Sequence, residues 1–96
     1  MNLTTFNFNQ VNVRTVTDEQ GNPWFIANDL CEAFEIEEDS FLKLVLERDK
    51  TFVVLDGQAY NVVTDFGACA ALYHFTAEGA DTLRRLVCLE VLQTQK

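Results

Sequence analysis

"PWFIANDLCEAF", Pro23–Phe34, passes within a dozen positions from a proline through an unbroken apolar run into a stretch where acids alternate with apolar residues. Up to Ala27 the run reads as a buried strand. From Asn28 the apolar residues Leu30, Ala33 and Phe34 recur at the spacing of one helical face. A change of period from two to about 3.6 marks a strand running straight into a helix. The stretch therefore predicts a strand through "WFIA" and a helix from Asn28 to near Ile36, with Trp24 mostly buried. Asn28 or Asp29 is placed to accept hydrogen bonds from the helix's first N–H groups.

Upstream, Phe6 and Phe8 share one alternation phase and Val11 and Val13 the other, so a turn or bulge is expected near Asn9-Gln10. "VNVRTVT" then meets the turn-rich "DEQGNP", which completes a meander of two or three strands. Downstream, a second helix is expected from Asp39 or Ser40 to about Asp49, burying Phe41, Leu44 and Val45 and pairing Lys43 with Glu47. "TFVVL" and "QAYNVV" flank Asp56-Gly57, a strong hairpin signal because both turn positions need positive φ. Thr64 is expected to cap a third helix lined on one side by Phe66, Cys69, Ala70 and Tyr73. Thr76 caps a fourth helix, with Ala80, Leu83, Val87 and Val91 on one face and Leu86, Leu89 and Leu92 widening it. An apolar arc that broad predicts contact with a partner or a second copy. The expected fold is a single α+β domain over residues 1–96: a small antiparallel sheet, made of an N-terminal meander plus a hairpin, packed with about four short helices.

Ninety-six residues suit one core. Seven Lys and Arg against fifteen Asp and Glu leave a net charge of −8, which disfavours non-specific attraction to nucleic acid or anionic membranes. Six acids, Asp29, Glu32, Glu35, Glu37, Glu38 and Asp39, precede any basic residue in their region and predict a strongly negative face. The N-terminus "MNLTTFNFNQ" does not read as a signal peptide and no apolar run approaches spanning length, so a cytoplasmic protein is expected. Cys31, Cys69 and Cys88 are odd in number and widely spaced, as reduced core thiols are. His74 lacks partners at ligand spacing, Ser40 lacks a nucleophile context, and the four glycines form no phosphate loop. Neither a metal, a cofactor nor an enzymatic activity is expected.

With this order of elements in place, "VRTVTDEQGNPWFIANDLCEAFEI" resembles the opening block of the Bro-N domain, the N-terminal module of phage and prophage antirepressors and of baculovirus Bro proteins. Gly21, Pro23, Trp24, Phe25, Asp29 and Ala33 carry the likeness, and "LRRLVCLEVLQ" is similar to the family's closing helix. The chain departs from the pattern at Leu83 and Leu86, where the family usually has an aromatic, at Gln93, where it has a proline, and in "YHFTAEGAD", where it has basic residues. The resemblance implies a DNA-binding regulatory module. The residues available for that role are Arg14, Lys43, Arg48, Lys50, Arg84 and Arg85. A second reading follows the charge: an acidic antirepressor or DNA-mimic decoy that occupies the basic surface of a regulatory protein.

Overall fold

The computed structural model describes residues 2–8 and 10–86. Three strands open the chain, β1 (Asn2–Phe8), β2 (Val11–Thr17) and β3 (Pro23–Ile26). Gln10 takes φ 66° in the first turn, and the register then pairs Phe8 with Val11 and Phe6 with Val13. That turn is the phase flip expected near Asn9-Gln10. The "DEQGNP" turn is organised by Asp18, whose Oδ1 accepts the N–H groups of Gln20 and Asn22 at 3.0 and 2.9 Å while Oδ2 accepts the indole N–H of Trp24 at 3.0 Å. Trp24 itself is half-buried rather than mostly buried, because that bond holds its polar edge at the turn.

The strand runs into helix α1 (Ala27–Phe34) with no intervening loop. Glu35 follows at φ 57°, and the N–H of Ile36 reaches back to the carbonyl of Cys31 at 2.8 Å, closing the helix. Helix α2 (Glu38–Lys43) is shorter than its sequence promised, and a separate 3₁₀ turn spans Glu47–Asp49. The N–H groups of Leu44 and Val45 bond to the carbonyls of Phe41 and Leu42 three residues back, so the helix tightens and ends there. The break turns Leu44 outward, 42% exposed, while Phe41 and Val45 stay buried. It also moves Glu47 away from Lys43; Glu47 pairs with Lys50 instead, at 3.5 Å.

Strands β4 (Lys50–Leu55) and β5 (Gln58–Thr64) form the hairpin around Asp56 and Gly57, at φ 51° and 80°. Helix α3 (Asp65–Tyr73) begins at Thr64, whose Oγ1 accepts the N–H of Gly67 at 3.0 Å, and α4 (Ala77–Leu86) begins after Thr76, which does the same for Gly79. The buried side of α3 is not the aromatic one. Gly67, Ala68, Ala71 and Leu72 face inward, whereas Phe66 and Tyr73 are each 66% exposed. Close approach decides this: a Cβ on Gly67 would lie 2.7 Å from the Cβ of Asp49. Only the small face of α3 fits against the rest of the domain.

The five strands form one antiparallel sheet in the order β1-β2-β3-β5-β4. One face packs on the helices: Val13, Phe25 and Val63 meet Leu30, Phe41, Val45, Leu72 and Leu83 in the main core, with Phe25 and Phe41 wholly buried. Truncating either to Ala removes about 3–5 kcal/mol by loss of burial and creation of a cavity. On the other face Val16, Ile26 and Val62 form a second cluster with Trp24, Val53, Leu55 and Tyr60 packed around it. The protein is an α+β domain with its helices on one side of the sheet. Cys31 is buried in the main core, and burial, helped by the charge of Glu38, pushes its thiol up to about 12, which keeps it in the unreactive protonated form. Cys69 is half-buried against the same core; Cys88 lies outside the described residues. Among the described residues no helix is long and apolar enough to cross a membrane.

Candidate nucleic-acid interface

Where β3 ends and α1 begins, β2 loses its ladder partner: Thr15 still pairs with Phe25, but the next position, Arg14, does not. Asp29 fills the gap from the first turn of α1. Its Oδ2 accepts the backbone N–H of Arg14 at 2.9 Å and the guanidinium Nε at 2.8 Å, and its Oδ1 accepts Nη2 at 2.9 Å. The guanidinium also lies over the ring of Tyr60 on β5, 4.6 Å from the centroid, within cation–π range. The hydrogen bonds to Asp29, and then to Tyr60, push the guanidinium's pKa further above its ordinary value. Arg14 thus links β2, α1 and β5 across the end of a short central strand, a bidentate arrangement that lysine would not reproduce.

This geometry changes two of the sequence-derived assignments. Arg14 is committed to Asp29 and Tyr60 rather than held out as a free cation. Asp29, 5% exposed, is not part of an acidic surface and does not cap its own helix. Tyr60 was not singled out by the sequence reading; its position in the alternation of "QAYNVV", on the same sheet face as Arg14, is the signal that points to it.

Lys50 is likewise engaged, donating to the carbonyl of Leu42 at 2.8 Å with 24% of its side chain exposed. Lys43, Arg48, Arg84 and Arg85 are exposed and make no ion pair among the described residues. Lys43 and Arg48 belong to α2 and the 3₁₀ turn after it, Arg84 and Arg85 to α4, and α2 and α4 both touch α3. Of the remaining acids, Glu32, Glu35, Glu37 and Asp39 are exposed and Glu38 is half-exposed. Leu86 is the last described residue of α4; Leu89 and Leu92 lie outside the described residues.

A cleft of about 280 Å³ opens between α2 and the β4–β5 hairpin, lined by Leu42, Glu47, Lys50, Thr51, Phe52 and Asn61. Among the described residues no three His, Cys, Asp or Glu side chains converge as metal ligands would. Among the described residues the polar features are therefore an internal lock, four exposed cations without ion pairs and a run of exposed acids.

These features define a small α+β domain with a meander, a strand-to-helix junction locked by an arginine, and a helical pair after the hairpin. The sequence model of the BRO family, N-terminal domain, matches residues 12–93, all but the first eleven and last three positions. The chain belongs to that family. Comparison with curated proteins and with solved structures gives no match.

Proposed function

We propose that the domain is a DNA-binding regulatory module of the phage-antirepressor kind, which contacts the phosphate backbone through Lys43, Arg48, Arg84 and Arg85. Membership of the BRO N-terminal family carries this reading. The exposure of these four cations supports it, since phosphate contacts require side chains free of internal partners. A net charge of −8 opposes approach to a polyanion, so affinity is weak and confined to a local patch. The test is a titration against random duplex DNA at low and at moderate salt. Binding at low salt that weakens steeply as salt rises is expected, by roughly 0.9 in the logarithmic slope for each phosphate contact. No binding at low salt removes the reading.

A second reading has its own observation. Glu32, Glu35, Glu37 and Asp39 are exposed on α1, α2 and the turn between them, a run of negative charge that would meet the basic surface of a regulatory protein. A chain that ignores DNA at low salt but binds a basic repressor protein takes that role instead.

A further inference from the structure

We propose that the β4 edge of the sheet pairs antiparallel with the β4 edge of a second copy of this chain, joining the two sheets across a two-fold axis. β4 is an outer strand of the sheet, and Thr51–Leu55 carry no charge, proline or glycine. Edge strands are ordinarily protected against pairing by charge, proline or a bulge. Here the only charged side chain on the strand is Lys50, at its first position. Phe52 and Val54 point to the same side of the sheet and are 64% and 59% exposed.

The hairpin fixes which backbone groups are available. Leu55 pairs with Gln58 across the two-residue turn, and in such a turn the flanking residues exchange both hydrogen bonds. Val53 and Thr51 therefore also direct their N–H and C=O groups to β5. Lys50, Phe52 and Val54 direct theirs outward; the Lys50 N–H is taken by the Glu47 carbonyl, so among the described residues the strand positions that offer both groups are Phe52 and Val54, the two with exposed apolar side chains.

A second copy fits this edge because the edge is its own complement. Setting Phe52 opposite Val54 of the second copy sets Val54 opposite its Phe52, places the two Val53 residues at the two-fold axis, and brings Lys50 opposite Asp56 at both ends. Every position then meets an apolar residue, a threonine or the opposite charge. A slide of two residues either way puts Lys50 against Val54, or Asp56 against Phe52, and loses that match. The Lys50 ammonium donates to the Leu42 carbonyl at 2.8 Å and lies 3.5 Å from a Glu47 side chain that is 94% exposed, so its attraction to Asp56 acts through space and favours this register without a direct ion pair.

The test is sedimentation equilibrium over a concentration series with amide hydrogen exchange on the same samples. A mass rising towards twice the monomer is expected, with the amides of Phe52 and Val54 slowed as the dimer forms. Val54→Lys, at an exposed position, should return the mass to the monomer with the far-ultraviolet circular dichroism unchanged. Three results overturn the proposal. One is a wild-type chain that stays monomeric with both amides fast, which leaves the edge to some other partner's strand. Another is a dimer that survives Val54→Lys. The third is a dimer that Leu89→Lys dissolves and Val54→Lys does not, which moves the contact to the C-terminal stretch of the sequence.

Discussion

Asp29 on α1 receives both the backbone N–H and the guanidinium of Arg14 on β2, at 2.9 and 2.8 Å. One carboxylate thereby replaces the strand partner that β2 loses at the end of β3. Asp29→Ala removes the acceptor and leaves the Arg14 N–H unpaired. Losing one partner of a buried pair costs about 3–5 kcal/mol. Arg14 keeps 32% of its side chain exposed, so its charge regains water and the expected loss is nearer about 2 kcal/mol. Asp29→Asn retains an acceptor oxygen and should lose less. Urea denaturation of both variants measures this; a loss under about 0.5 kcal/mol for Asp29→Ala, the size of an ordinary surface change, would show the lock to be decorative.

Thr15 carries a different kind of flaw. It is fully buried between Arg14 and Val16, and its Oγ1 has no hydrogen-bond partner among the described residues. A buried hydroxyl without a partner costs about 1–3 kcal/mol. Thr15→Val keeps the branched shape and the strand preference while removing the oxygen. The variant should gain about 1 kcal/mol and melt at a higher temperature in a calorimetric scan. A lower melting temperature would mean that the hydroxyl is bound in solution.

The Asp18 turn sets an acid limit on stability. The indole N–H of Trp24, and then the backbone N–H of Asn22, hold the Asp18 carboxylate below its ordinary value of 3.8. A folded value below the unfolded one stabilises the protein above the unfolded pKa, and that contribution disappears as pH falls through the folded value. The wild type should therefore lose stability more steeply than Asp18→Asn as pH is lowered from about 4. Thermal melts of the two proteins at a series of acid pH values check this. Parallel curves would mean that the Trp24 bond does not form.

How far these features could be read in advance depended on whether local pattern or tertiary contact set each one. The period change at Asn28 located the β3–α1 junction, and Asp56-Gly57 located the hairpin, because both are governed by the backbone's local preferences. The helix ends at Thr64 and Thr76 were legible for the same reason. The buried face of α3 was not. Aromatic size favoured Phe66 and Tyr73, but the close approach of Asp49 to Gly67 favoured the small residues, and no pattern within the helix reports a neighbour from another element. The Arg14–Asp29 pair spans fifteen positions. Its partners were visible as a strand cation and a helix-start acid, and only the missing rung beside β3 joins them.

Arg14 and the Arg84–Arg85 pair should separate in a DNA-binding assay, since the fold gives them opposite employment. The Arg14 guanidinium is spent on Asp29 and Tyr60, so Arg14→Ala should lower stability while leaving the salt dependence of any DNA complex unchanged. Arg84 and Arg85 are exposed on α4, and changing both to Ala removes two candidate phosphate contacts. At roughly 0.9 per contact, the logarithmic salt slope should become shallower by about two, with little change in melting temperature. If Arg14→Ala flattens the slope and the double change does not, the guanidinium leaves Asp29 on binding and the interface lies on the sheet side. If neither changes the slope while DNA still binds, Lys43 and Arg48 carry the contact.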